Sequence, residues 1–277
     1  MRLILLTVLT MCAFAANSLL TRAAVDGGHL GPGAFAIVRV AAGALMLSGI
    51  VLWQGKALPL FNRTRLVGAI SLTAYMFGFS LAYSTLDAGL GALILFGVTQ
   101  IAMFTHSGVT AAKPTARQLS GAALAFAGLL LVLWPSTEAT TDPIGAGLMI
   151  LAGLGWAAYS IVGRSSADPL AASAANFVLC LPILTILLFN SDFSGDAQGI
   201  LLAVISGAVT SGLGYALWYN VLRQMQGTTA AIVQLSVPVI AIVAGAALLG
   251  EAVSGTVLVA AALVVGGIGW AVSAKKP

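Results

Sequence analysis

Charge is what this sequence lacks most. Only 7% of its 277 residues are Asp, Glu, Lys or Arg, while 60% are hydrophobic and the mean hydropathy is +1.05. A soluble domain carries about a quarter charged residues, so a chain this poor in charge cannot cover itself in water. Cysteine is nearly as scarce: Cys12 and Cys180 both fall inside apolar runs, which excludes a disulfide scaffold. The two histidines, His29 and His106, have no Cys, Asp or Glu at ligand spacing, so no metal is expected. There is no GxxxxGK[ST] loop and no polar stretch long enough to hold one; ATP hydrolysis by this chain, an ATPase subunit and any cofactor are therefore not expected. HExxH is absent, and Ser211 in VTSGLG has no flanking His, so an intramembrane protease lacks its parts and the chain is not read as an enzyme.

What is present is apolar sequence, cut at intervals by polar or Gly/Pro punctuation. The cuts predict ten helices, near 3–22, 33–53, 66–84, 88–107, 117–134, 143–163, 171–189, 198–219, 228–249 and 254–273. Each is close to the roughly 20 residues that span a bilayer core. The first run opens onto no small-residue cleavage site followed by a polar domain, and is expected to be a spanning helix rather than a signal peptide. With the N-terminus in the cytoplasm and ten alternating crossings, Arg2, Lys56, Arg63, Arg65, Lys113, Arg117, Arg164, Arg223, Lys275 and Lys276 fall inside and only Arg22 outside, with Arg39 within helix two. Such a bias is the positive-inside signature. It also explains the net charge of +4 without a nucleic-acid partner, because the basic residues are scattered in ones to threes.

The chain also repeats itself. AANSLLTR (15–22) returns as AAYSIVGR (157–164), closing predicted helices one and six, and Tyr83-x2-Leu86-x4-Gly91 returns as Tyr219-x2-Leu222-x4-Gly227. The expected organisation is thus two five-helix halves, residues 1–137 and 138–277. Because five is odd, the second half enters the membrane from the opposite side. Inverted repeats of this kind are built for alternating access, with a watery chamber and the substrate site near the midplane between the halves.

The segment from Tyr219 to Trp270, YNVLRQMQGTTAAIVQLSVPVIAIVAGAALLGEAVSGTVLVAAALVVGGIGW, resembles the EamA repeat of the drug/metabolite transporter superfamily. Its aromatic, small-residue turn, mid-helix Pro238, Gly-Glu pair and Gly-rich final helix carry the likeness. The first half departs from it: Ala102 aligns with Pro238, and AAKP (111–114) replaces LGEA (249–252), so the halves are not given equivalent roles. The resemblance implies an all-α polytopic membrane protein with ten transmembrane helices, and carriage of small organic solutes. The expected function is secondary transport, as an exporter or exchanger of amino-acid-like or other small metabolites; channel-like or lipid-moving activity is the alternative. The expected place is a cell membrane, the inner one in a bacterium, with both termini cytoplasmic. The expected partners are a small-molecule substrate and the lipid bilayer.

Polar side chains at membrane depth are expensive and mark candidate sites. Those singled out as substrate contacts are Thr99 and Gln100 on helix four, Gln234 on helix nine, Asn17 on helix one, Tyr75 on helix three, Trp156 and Tyr159 on helix six and Tyr215 on helix eight. Gln100 and Gln234 offer a donor and an acceptor each, and serve either a ligand or an interhelical hydrogen bond. Trp218 and Tyr219, near a helix end, fit interfacial anchors. Pro238 removes a backbone donor and frees a carbonyl one turn earlier. Arg39 is either a clasp on neighbouring carbonyls or Asp87, or an anion-attracting group at the external mouth. Glu251 fits a cap or interhelix contact. No Asp or Glu lies at midplane depth, which predicts a facilitated carrier or exchanger rather than a carboxylate-driven proton antiporter.

Overall fold

A computed structural model describes residues 2–110, 115–133, 141–163, 166–222, 224 and 233–272. Among them the chain is helical throughout, with no strand beyond an isolated bridge between Leu30 and Gly195. Helices satisfy their own backbone groups, as a lipid solvent requires. In order they are α1 (Arg2–Asp26), α2 (Pro32–Trp53), α3 (Arg63–Ala82), α4 (Ala88–Thr110), α5 (Ala116–Leu133), α6 (Pro143–Gly163) and α7 (Pro169–Leu187). There follow α8, a rod of three consecutive segments (Ala197–Ile205, Ser206–Leu213 and Gly214–Leu222), α9 (Ser236–Leu249) and α10 (Gly255–Val272). Six stretches, namely α1, α2, α3, α6, α7 and Ala197–Trp218, are long and apolar enough to cross a bilayer. Ala88–Met103, Ala116–Leu131, Ser236–Leu249 and Gly255–Ala271 form shorter apolar helices.

Local chemistry sets the ends. Asn62 accepts from the Thr64 N–H to start α3, Asp142 from Gly145 to start α6, Asp168 from Ala171 to start α7, and Asp196 from Gly199 to start α8. Gly250, left-handed at φ 67°, ends α9.

Two elements differ from the regular helices expected. In α8 the middle segment, SGAVTSGL, is wound as a π-helix, with three of its hydroxyls turned to Asn17 on α1. Residues 233–234 are helical, but the ladder is interrupted at Leu235 before α9 begins. Pro238 explains the interruption, since it cannot donate to the carbonyl of residue 234. Residues 228–232 of the helix predicted there lie outside the described residues.

In the packing, α3 lies along α6 and α1 against α8; α4 meets α6 and α1 meets α9; α2 meets α7 and α8; α3 meets α7; α4 meets α9; and α5 lies along α10. The main core fills the space among α1, α2, α3, α4, α6, α7, α8 and α9. A smaller core holds α5 and α10 against α4. Small residues bring backbones close, as membrane packing favours: a methyl on Gly267 would lie 2.6 Å from both the Ala125 nitrogen and the Gly121 oxygen. Its neighbours Gly266 and Gly269 face open space, so only one glycine of GGIG makes the contact. Large apolar side chains such as Ile4, Leu45, Ile70, Phe126, Val243 and Leu258 point outward, as a surface against lipid requires.

Candidate functional site

The polar and aromatic groups of α1, α3, α4, α6 and α8 converge. Phe14, Asn17, Tyr75, Phe79, Leu95, Phe96, Trp156 and Tyr215 line one cavity. Its space is about 10 Å³, room for roughly one water. The watery chamber expected between the halves is therefore closed in this structure. Interlocked rings are the reason: the Trp156 centroid lies 4.8 Å from that of Tyr215, 5.1 Å from Tyr75 and 5.7 Å from Phe14.

Four of the eight residues singled out as substrate contacts, Asn17, Tyr75, Trp156 and Tyr215, meet at this cavity. The other four do not line it. Gln100 donates to Gln234 (3.0 Å), so the pair ties α4 to the short helical stretch just before α9. Thr99 donates to Leu95 O in its own helix and to Gly153 O of α6. The Tyr159 hydroxyl meets Ser173 on α7, with its ring stacked behind Trp156 at 5.6 Å. Trp218 is buried against Phe14 (5.7 Å) rather than anchored at an interface, and the Tyr219 side chain lies outside the described residues. Sequence reasoning passed over Phe14, Phe79, Leu95 and Phe96, which carry no polar atom. A signal existed for two of them: Phe14 is three residues before Asn17 and Phe79 four after Tyr75, which puts each on the same face as its polar neighbour.

Asn17 is engaged at both ends of its amide. Its Oδ1 accepts from the hydroxyls of Ser206, Thr210 and Ser211, and its Nδ2 donates to Thr210 O. The π-helical winding of α8 presents these hydroxyls together, and such bulges recur at functional sites.

Behind the cavity wall stands Arg39, fully buried. It does not reach Asp87. Its Nε donates to Ser211 Oγ (2.9 Å) and its Nη2 to Tyr75 Oη (3.1 Å), while the guanidinium carbon sits 4.7 Å from the Phe79 ring centroid and 5.5 Å from that of Tyr75. No carboxylate pairs with it among the described residues, and Nη1 has no hydrogen-bond partner there. Burying an ion costs several kcal/mol even after relaxation. Each ring face returns about 0.5–2 kcal/mol and each charged hydrogen bond about 1.5–3 kcal/mol, so much of that cost is offset. The orphaned donor still carries a penalty of about 1–3 kcal/mol.

Polar clasps close the bundle at both ends. At one, Arg22 at the end of α1 donates to Tyr83 O (3.1 Å) and Asp87 (3.3 Å), pairs with Asp26 and lies 3.7 Å from Glu251. Glu251, from the turn after α9, accepts from the Ala88 N–H (2.6 Å) and so caps α4. At the other end Lys56 pairs with Asp168 (2.7 Å) and Arg65 donates to Ser166. Of its three carboxylate neighbours Asp26 is one turn away on α1, while Asp87 and Glu251 come from turns far apart in the chain.

Burial raises the Glu251 pKa, against the opposing pull of the Ala88 N–H and Arg22. A carboxyl that binds its proton more tightly in the closed clasp favours closure at low pH. That advantage is lost as pH rises through the raised value. A cysteine at buried Leu86 reports opening at this end. The expected result is that its alkylation rate, divided by the rate in the same protein carrying Glu251→Gln, falls between about pH 8 and about pH 5; a constant ratio removes Glu251 as the titrating group.

Comparison with known proteins agrees with this architecture. The EamA-like transporter family profile matches residues 143–273. A Pseudomonas aeruginosa protein described only as uncharacterized is 42% identical over 271 residues, spanning 96% of this chain and 93% of its own. A Salmonella typhimurium protein named as a probable amino-acid metabolite efflux pump is 28% identical over 231 residues, covering 76% of this chain and 77% of its own. A crystal structure at 17% identity superposes with a TM-score of 0.69 over 98% of this chain and 96% of that one, a likeness of fold alone.

Proposed function

The chain belongs to the EamA-like transporter family and is a multi-pass membrane protein that transports a small solute; from that premise we propose that it works by alternating access between two inverted five-helix halves, residues 1–137 and 138–277. The observation that carries this reading is the cavity, whose wall draws Phe14, Asn17, Tyr75, Phe79, Leu95 and Phe96 from the first half and Trp156 and Tyr215 from the second. The packing also supports it: exchanging each helix for the one five later turns the pair α3–α6 into α8–α1, α4–α6 into α9–α1 and α2–α8 into α7–α3, all of which are in contact. Both termini are cytoplasmic in this proposal, so the Arg22 clasp closes the outer end and the Lys56–Asp168 clasp the inner. The conformation is then an occluded one, and each half-cycle opens one clasp and parts the aromatic rings. The cargo is amino-acid-like or a related small metabolite, as the name of the Salmonella relative suggests. No Asp or Glu lines the cavity, which supports facilitated carriage or exchange. Uphill accumulation in proteoliposomes driven by an imposed pH gradient alone would overturn that part.

A staple tests alternation itself. A Cβ on Gly245 of α9 would stand 3.7 Å from the Ala88 Cβ at the start of α4, within disulfide reach, once the end of the Glu251 side chain that it displaces has swung aside; the reduced double-cysteine protein is therefore the reference for transport. With cysteines at both positions, oxidation is expected to stop transport in proteoliposomes and a reductant to restore it. Undiminished transport with the disulfide verified would show that the Arg22 end need not open.

A further inference from the structure

Three donors at the cavity or directly behind its wall have no hydrogen-bond partner among the described residues: Nε1 of Trp156 and the hydroxyl of Tyr215 on residues that line it, and Nη1 of Arg39 behind them. Buried donors are nearly always paired, so three orphans in one place need an explanation. Trp156 and Tyr215 line the cavity. Arg39 is joined to the same wall through its hydrogen bond to Tyr75. The orphans share a sign, since an indole N–H and a guanidinium only donate and a phenol donates readily. The acceptor side is spent, because the Asn17 carbonyl already receives three hydroxyls.

We propose that this cavity is a seat for a monoanion: a carboxylate on an aromatic or apolar body, received by the Trp156 N–H and the Tyr215 hydroxyl and neutralised by the Arg39 guanidinium. The seat rests on the carrier reading above and names its cargo class. One uncompensated cation calls for one negative charge, and a dianion such as phosphate would leave its second charge buried and unpaired. The rings that fill the cavity supply the contact for the body of the ligand. An ammonium group is not required and meets a like charge in Arg39.

The test uses the purified full-length protein and three probes of one shape: phenylacetate, phenylacetamide and phenethylammonium, titrated by calorimetry. Phenylacetate is expected to bind about tenfold or more tightly than either of the others, as hydrogen bonds to a charged group allow. Tyr215→Phe removes only the hydroxyl, while Trp156→Phe removes the N–H together with one ring of the indole and keeps a phenyl in its place. Each is expected to weaken phenylacetate by about tenfold and phenylacetamide by clearly less, because a neutral carbonyl gains less from the same donor than a carboxylate does. Arg39→Lys, which keeps the charge and loses the fork, is expected to do the same; should it fail to fold, the two Phe variants decide the matter. Absence of phenylacetate binding, equal binding of the amide or the ammonium, or unchanged phenylacetate affinity in both Phe variants overturns the anion seat. The staple experiment does not depend on cargo charge, so the carrier reading stands or falls separately.

Discussion

Trp156→Ala is expected to destabilise the protein by about 3–5 kcal/mol, the cost of cutting a large buried ring to a methyl, and to abolish transport. Trp156 sits where the two proposed halves meet, with ring neighbours Phe14, Tyr75, Tyr159 and Tyr215 at centroid distances of 5.7, 5.1, 5.6 and 4.8 Å. Aromatic pairs add about 0.5–1.5 kcal/mol each beyond the area they bury, so the loss falls on several contacts at once. Thermal unfolding in detergent measures the first effect and proteoliposome uptake the second. Trp156→Phe separates them: a ring remains to pack against the same neighbours, so most of the stability is retained. If Trp156→Ala melts with the parent, the aromatic cluster is not what holds these helices together.

Gly207→Ala has the next largest expected effect, a loss of about 2–3 kcal/mol from overpacking. Gly207 lies in the π-wound part of α8, and a methyl there collides with the backbone carbonyl of Arg39 on α2. A backbone atom cannot swing aside as a side-chain end can, so α2 and α8 have to part, which disturbs Arg39 and Ser211 together. Gly49→Ala on α2 is the matched control, with nothing within 4 Å of the added carbon. There the exchange is expected to stabilise by about 0.5–1 kcal/mol through helix propensity alone. Equal melting temperatures for the two variants would contradict the close α2–α8 approach.

Apolar runs and their punctuation were enough to place the helices among the described residues, because a lipid solvent leaves the chain few options. The window 33–53 became Pro32–Trp53 and 143–163 became Pro143–Gly163. One miss has a local cause and one a distant cause: α1 runs on to Asp26 because its stop is the Gly27–Gly28 turn, with Gly28 at φ 70°, and the π-winding of α8 brings its hydroxyls to Asn17, more than 180 residues away in sequence. In the site, polarity at depth drew notice to Asn17, Tyr75, Trp156 and Tyr215, which the structure brings to one cavity, and to Arg39 behind its wall. It equally drew notice to Gln100 and Gln234, which turn out to face each other.

By itself, then, the sequence determined that this protein lives in a membrane, where its helices run and which few polar side chains are buried among them. Those are matters of composition and spacing, which act residue by residue. Only the tertiary structure decided which buried groups are satisfied by a partner and which are left with a free donor around a closed aromatic cavity. That depends on how helices distant in the chain are rotated against one another, and a hydrogen bond forms or fails over less than an ångström.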